Sequence, residues 1–232
     1  MMTMCTTTET LHSARKYVSI GLRSDSWPLL FLMTSVGGFS ASYSFLSRGG
    51  VFAFAQTGNI IYSGQVMASG HFMQVLTFLC PVLSYMFGLF FSQQLESRCQ
   101  GKVSFQKAIL LLESLLMTVT ALLPASYASI RLSLCLLGLA SGLQMETFHR
   151  VNSCEYTSIM VMGNMKRTVE AFGAYLTDHR SASLTKALMY VVINAIFCLG
   201  SGWGFVVTRA LGDNGILLPA LLLASAALIL RD

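Results

Sequence analysis

Two short polar motifs carry most of the chemistry that this sequence could perform. The first is the tripeptide Thr57-Gly58-Asn59, and the second is the pair Gly163-Asn164, whose asparagine follows the first at an offset of 105 residues. An asparagine amide both donates and accepts hydrogen bonds, and a glycine lets a ligand approach the backbone closely. The motifs could therefore bind a small polar solute. They could equally serve only as caps, turns and packing positions, with Thr57 or Asn59 capping the helix that follows.

Three further polar residues lie in or beside apolar segments. Gln144 and Glu146 lie near the end of one apolar segment, and Glu113 lies inside another, within one or two turns of its start. An ionised acid at the centre of a bilayer costs roughly 2.5–3.5 kcal/mol on insertion scales, so one that is retained there usually has a partner or a task. Glu113 and Glu146 are therefore candidates for proton coupling, although Glu113 could equally bond a polar residue of a neighbouring helix.

The composition places these motifs in a lipid bilayer. Hydrophobic residues make up 54% of the 232 residues, and charged residues make up only 11%. About 25% charged residues is usual for a soluble domain, which needs them to cover its surface. Mean hydropathy is +0.63, and the apolar residues occur in long blocks. We therefore expect an all-α membrane protein that has the lipid bilayer as its immediate partner.

Six apolar blocks are predicted to cross the membrane, since a spanning helix needs about 20 residues. A short glycine-broken segment follows the first block and another follows the fourth; the second of them contains an amphipathic helix around residues 165–176. Residues 1–24 are expected to form a cytoplasmic tail, residues 25–126 a first three-helix repeat and residues 127–232 a second. The predicted spans cover approximately residues 27–47, 72–91, 108–125, 128–148, 187–207 and 215–230.

The distribution of positive charge and the three-helix repeat predict the same topology. With six spans and both termini on one side, that side holds all but three of the 15 lysines and arginines. The positive-inside rule then places both termini in the cytoplasm. Because each half has an odd number of spans, the second half enters from the opposite side, giving a 3+3 inverted repeat of the kind common in secondary transporters.

Several classes of function lack their sequence signals. The basic residues are spread over short loops, so no nucleic-acid-binding surface is expected. No hydrolase, nucleotide-binding or paired-carboxylate motif occurs, so we expect no enzyme activity and no cofactor. The four histidines and six cysteines are scattered without ligand spacing, which argues against a metal site.

The glycine-rich stretch also carries a family resemblance. Residues Gly37–Gly64, with the letters GGVF followed by Thr57-Gly58-Asn59, and the run Gly142-Leu143-Gln144 resemble the YoaK-like family of small bacterial six-span membrane proteins. The resemblance covers about residues 27–230 and implies a six-span fold and a permease without an assigned substrate. The family usually has aspartate where this chain has Ala41, and asparagine where it has Met145. These departures imply an altered substrate or a lost activity.

Two functions from different classes follow. The first is a secondary transporter or permease for a small solute, with its site where the two halves meet. The second is a membrane protein that does not transport and acts as a lipid-binding, assembly or regulatory partner. A homodimer is compatible with the small size of a six-span unit, although the sequence indicates no interface.

Overall fold

The structure, a computed structural model, describes residues 22–23, 25–99, 102–124, 126–151 and 154–231. Most of the predicted tail, and the whole of residues 1–21, lies outside the described residues. Two-residue strands are β1 (Leu22–Arg23), β2 (Arg150–Val151), β3 (Cys154–Glu155) and β4 (Leu230–Arg231). The helices are α1 (Trp27–Ser47), α2 (Gln56–Ala68), α3 (Phe72–Glu96), α4 (Lys102–Leu122), α5 (Tyr127–Thr147), α6 (Val161–Asp178), α7 (Ser181–Leu211) and α8 (Leu217–Ile229), with a 3-10 turn at Gly212–Ile216.

The prediction of an all-α protein with several membrane-length helices is confirmed. Within the described residues, five helical stretches are long and apolar enough to cross a bilayer, and the last of them, Ser181–Ile229, runs for 49 residues through α7, the 3-10 turn and α8. Two helices begin six residues earlier than expected, α4 at Lys102 and α7 at Ser181. Polar residues at these ends hid the starts, because a hydropathy pattern follows the apolar core of a helix and not its cytosolic or interfacial turns.

Parallel helices α1 and α7 pack closely through glycine. A Cβ added to Gly38 would lie 2.2 Å from the main-chain oxygen of Phe197. On the facing helix, a Cβ added to Gly200 would lie 2.4 Å from the main-chain oxygen of Ser35. No side chain fits at such distances, so glycine is what allows these backbones to approach.

Parallel helices α3 and α5 make the same kind of contact. A Cβ added to Gly142 would lie 2.2 Å from the main-chain oxygen of Tyr85. A Cβ added to Gly88 would lie 2.5 Å from the main-chain oxygen of Leu139. The remaining packing joins α2 to α3, α6 to α7, and α4 to both α5 and α8.

Contacts at the two ends of α1 show where α8 begins and ends. Beside the last turn of α1, the Tyr43 hydroxyl donates to the main-chain oxygen of Asp213 at 2.9 Å, in the turn that precedes α8. Before the first turn of α1, strand β1 pairs in parallel with β4, which follows α8, so that Leu22 lies opposite Leu230. Helix α8 therefore runs back along the bundle from the end of α1 to its start.

Candidate functional site

The loop before α2 is held by Asn59. This residue is fully buried, and its Nδ2 donates to the main-chain oxygen of Phe52 and to Oε1 of Gln56, both at 2.9 Å. The main-chain oxygen of Asn59 accepts from the Ser63 hydroxyl one turn later. The side chain therefore ties the first turn of α2 to the chain that leads into it, while its Oδ1 has no hydrogen-bond partner among the described residues.

The loop before α6 is held by Asn164 in a matching way. Asn164 is 1% exposed, and its Nδ2 donates to the main-chain oxygen of Thr157 at 2.7 Å. Its Oδ1 accepts from both the main-chain N–H and the hydroxyl of Thr157, at 3.1 and 3.0 Å. The main-chain oxygen of Asn164 accepts from the Thr168 hydroxyl. Each amide thus reaches the residue seven positions earlier in the chain.

The remaining residues of the two motifs lie in the first turns of α2 and α6. Thr57 is exposed, and Gly58 and Gly163 are half-buried. The expectation that Thr57 or Asn59 caps the following helix is wrong, because α2 begins one residue before Thr57 and no side chain caps it. A Cβ at Gly58 or Gly163 would meet its nearest neighbour at an ordinary 3.6 Å, so neither glycine is required by crowding.

Gln144 joins three segments inside the bundle. It is fully buried near the end of α5, and its Nε2 donates to the main-chain oxygen of Met33 at 2.8 Å and to the Ser158 hydroxyl at 3.2 Å. The loop before α6 reaches as deep as the middle of α1, where a Cβ added to Gly37 would lie 2.7 Å from Cγ2 of Ile159. Non-helical backbone at this depth must be buried in protein or border a wet cavity.

Glu113 lies farther from the start of its helix than the sequence suggested. Helix α4 extends from Lys102 to Leu122, so Glu113 is near its middle and not within one or two turns of its end. The side chain is fully buried, and neither carboxylate oxygen has a hydrogen-bond partner among the described residues. The prediction underestimated the distance of Glu113 from the start of the helix because it missed the first six residues of α4.

Glu146 lines a cavity of about 420 Å³ between α5, α6 and the β2–β3 hairpin. The same cavity is bordered by Thr157, the residue that Asn164 holds. The structure therefore gathers Gln144, Glu146 and Asn164 around one loop. The described contacts of Thr57-Gly58-Asn59 lie within the loop before α2 and do not include any of these residues.

Sequence reasoning missed a buried cation. Arg48, just after α1, has no exposed surface, and its guanidinium donates to the Tyr43 hydroxyl at 2.9 Å and to the main-chain oxygen of Thr120 at 2.8 Å. It also lies 3.5 Å from the carboxylate of Asp213. The signal available in the sequence was an arginine directly after an apolar segment, one of only three cations on the side expected to be non-cytoplasmic.

These features define a helical membrane protein in which loops fold back into the bundle. The chain belongs to the family described as protein of unknown function (DUF1275), whose family model matches residues 29–229. The suspected YoaK-like membership is therefore confirmed, because that family and this one are the same. No curated protein and no solved structure matches the chain.

Proposed function

We propose that this protein is a secondary transporter, or permease, for a small solute, built as two inverted three-helix halves. The observation that carries the proposal is a repeated set of backbone contacts. Gly142 repeats the contact of Gly38 at an offset of 104 residues, and Gly200 repeats that of Gly88 at an offset of 112. Helices α1 and α7 thus correspond to α5 and α3, as expected if two similar halves exchange these partners.

The two asparagine loops support the same correspondence. Asn59 and Asn164 are 105 residues apart, and each bonds the main-chain oxygen seven residues before it. Ser63 and Thr168, also 105 residues apart, each donate to the asparagine one turn earlier. Two hydrogen bonds that recur at a constant offset favour an internal repeat over a chance likeness of two loops.

The course of the last helices supports six crossings. The turn before α8 lies beside the end of α1, and the strand after α8 pairs beside the start of α1. If α1 crosses the bilayer once, α8 crosses it back, which makes α7 and α8 separate spans. The excess of lysine and arginine at the end that carries β1 and β4 supports a cytoplasmic location for both termini.

Alternating access gives a role to the buried polar residues Asn59, Asn164, Gln144 and Glu113. The two loops enter from opposite sides, and the solute would bind beside the polar groups they carry, with Gln144 and Asn164 on one side and Asn59 on the other. Glu113, buried near the middle of α4 without a hydrogen-bond partner in the described residues, would accept the coupling proton. A carboxyl group retained in such a place is a stability cost that a proton-coupled cycle explains.

The test is access of water to Asn59 and Asn164. In a variant without the native cysteines, Asn59→Cys and Asn164→Cys are probed with an impermeant maleimide from each side of sealed vesicles. Ser69→Cys and Ser97→Cys, exposed turns at opposite ends of the bundle, are the controls for sidedness. A transporter predicts labelling of both buried positions, with at least one reached from either side.

Two results would count against the proposal. If neither buried position is labelled while both controls are, the loops are packed dry and a non-transporting lipid-binding, assembly or regulatory role replaces transport. If Ser69→Cys and Ser97→Cys are labelled from the same side, the six-span topology is wrong.

A further inference from the structure

The cavity beside Glu146 carries charges of both signs that its own residues do not fully pair. Its volume of about 420 Å³ falls in the range of roughly 300–1,000 Å³ that is usual for small-molecule sites. Its wall contains Glu146, His149, Arg150, Glu155 and Arg167. With histidine neutral, two cations face two anions, so the cavity as a whole is electrically balanced while its two ends are not.

The end formed by the β2–β3 hairpin and α6 has a surplus of positive charge. Two arginines share one carboxylate there, because Glu155 lies 3.4 Å from Arg150 and 3.9 Å from Arg167. The longer of these distances is at the limit of an ion pair. Nη1 of Arg167 is buried and has no hydrogen-bond partner among the described residues. The Arg167 side chain is nevertheless 32% exposed, so an anionic group can approach its guanidinium, and arginine binds carboxylate and phosphate oxygens well.

The end formed by α5 has a surplus of negative charge. The carboxylate of Glu146 makes no ion pair with any residue in the described ranges. The nearby His149 ring contacts the main-chain oxygen of Glu146 and not its carboxylate. A half-buried carboxylate with no cation beside it is a suitable receptor for an ammonium group.

Neutral hydrogen-bonding and apolar side chains also line the cavity. Burial raises the pKa of Tyr156, and the nearby charge of Asp25 raises it further, so the phenol stays neutral and can donate. Thr157 is fixed by the three hydrogen bonds to Asn164. Leu89 and Met145 supply apolar surface. Polar groups at fixed positions on a partly apolar wall are typical of sites that select a ligand by orientation.

We propose that this cavity binds a zwitterion that carries an ammonium group and an anionic carboxylate or phosphate group. The ammonium lies at Glu146 and the anion at Arg167, with Arg150 beside it. The α-amino acids and the ethanolamine phosphate group, free or as a lipid headgroup, share this chemistry. As a substrate site the cavity rests on the proposed transport function, whereas its binding of a zwitterion does not.

Binding is measured by thermal unfolding of the purified full chain. The soluble probes are L-alanine, L-glutamine and phosphoethanolamine, with acetate and methylammonium as half-ligands that carry one charge each. Nanodiscs with and without phosphatidylethanolamine form the lipid arm. At least one zwitterion is expected to raise the unfolding temperature, and the half-ligands are expected to have little effect, since a ligand that binds only the folded state stabilises it.

Three variants locate the site. Glu146→Gln and Arg167→Gln are each expected to weaken the apparent affinity at least about tenfold, because each removes one charge-assisted contact. The control is Glu170→Gln on the same helix α6, whose carboxylate pairs with Lys166 on an exposed surface. It should bind like the original protein. Unfolding without ligand is recorded for each variant, so that a loss of fold is not mistaken for a loss of binding.

Each other outcome overturns the proposal or separates it from transport. No stabilisation by any zwitterion, equal stabilisation by a half-ligand, or stabilisation that survives both Glu146→Gln and Arg167→Gln would each overturn it. If the bound zwitterion shows no flux in proteoliposomes, the zwitterion site stands and the transport function fails. If flux occurs and neither substitution affects it, transport stands and this site is wrong.

Discussion

Single glycines decide how closely the long helices approach. Gly200 and Gly202 lie two residues apart on α7, yet they face different surroundings. A Cβ at Gly200 would meet the backbone of Ser35 at 2.4 Å, whereas a Cβ at Gly202 would meet nothing within 4 Å. Backbone atoms cannot rotate away as a flexible side chain can. The two positions therefore separate the packing role of glycine from its effect on the helix itself.

We expect Gly200→Ala to destabilise the protein by about 1–3 kcal/mol, the usual cost of overpacking. Gly202→Ala should be neutral, or stabilising by up to about 1 kcal/mol because alanine favours the helix. Gly88→Ala should resemble Gly200→Ala, since its Cβ would lie 2.5 Å from the main-chain oxygen of Leu139. Thermal or denaturant unfolding in detergent measures all three. Equal stabilities for Gly200→Ala and Gly202→Ala would contradict the close packing of α1 on α7.

At this scale the sequence predicted which residues are unusual better than what they contact. It identified Asn59, Asn164, Gln144 and Glu113, and all four side chains are buried. It could not identify the partners, because Gln144 bonds the main-chain oxygen of Met33, which lies 111 positions away in the chain and carries no side-chain signal. Contacts to main-chain atoms depend on helix packing, and a residue pattern does not contain it.

The two asparagine loops, before α2 and before α6, distinguish this bundle from a simple set of antiparallel helices. Both are closed by one asparagine, but the bonds differ in number. Asn164 satisfies the N–H, the hydroxyl and the main-chain oxygen of Thr157, whereas Asn59 satisfies the main-chain oxygen of Phe52 and the amide oxygen of Gln56. Removing the amide therefore leaves more half-buried main-chain groups unpaired in the loop before α6.

We expect Asn164→Ala to lose more stability than Asn59→Ala, with about 1–3 kcal/mol for each buried group left unsatisfied. Unfolding in detergent gives the free energies, and hydrogen exchange at the first turn of α6 reports the local loosening. The exposed Asn214→Ala is the matched control and should change neither. A larger loss for Asn59→Ala would mean that the bonds to Thr157 contribute little.

Element boundaries show where periodicity and hydropathy stop being informative. The short α2 was expected from a run too apolar for a loop and too short for a span, and α6 was expected from apolar residues at helical spacing. Both exist, and both begin before their glycine motif and not after it. The β2–β3 hairpin was not foreseen, because two-residue strands leave no alternation to detect.

Across the whole molecule, Arg48 links elements that are distant in the chain. Its guanidinium contacts α1 through Tyr43, α4 through Thr120 and the turn before α8 through Asp213. The two members of the ion pair differ sharply in exposure, since the side chain of Arg48 is 0% exposed and that of Asp213 is 37% exposed. Removing Asp213 therefore leaves a buried cation, whereas removing Arg48 leaves a partly exposed carboxylate.

We expect Asp213→Ala to destabilise the protein by about 3 kcal/mol, because it leaves a buried charge uncompensated. Arg48→Met should cost less, since the remaining carboxylate can be hydrated and methionine fills much of the vacated volume. The double variant should be no less stable than Asp213→Ala alone, and the cycle of the four proteins measures the coupling. A greater loss for Arg48→Met than for Asp213→Ala would show that the hydrogen bonds of Arg48 outweigh its charge.

At the scale of the whole molecule, composition was sufficient to predict the class of protein but not the arrangement of its helices. Low charge and long apolar blocks indicate a membrane protein. The parallel pairing of α1 with α7 and of α3 with α5 depends on glycines that face backbone. A glycine in a sequence does not reveal which helix it faces, so this pairing could not be predicted.

If the protein is a carrier of the proposed kind, the unequal lengths of α2 and α6 have a consequence for its resting conformation. Helix α2 has 13 residues and α6 has 18, and the offset between matching residues grows from 105 at the asparagines to 112 at Tyr85 and Phe197. The added residues therefore fall in α6 and the start of α7, which the proposed topology puts on one side of the membrane only. Two conformers related by exchange of the halves would then differ in energy before any solute or gradient is applied. Without solute, the protein would therefore prefer to open toward one side of the membrane, because one of its two matching helices is longer.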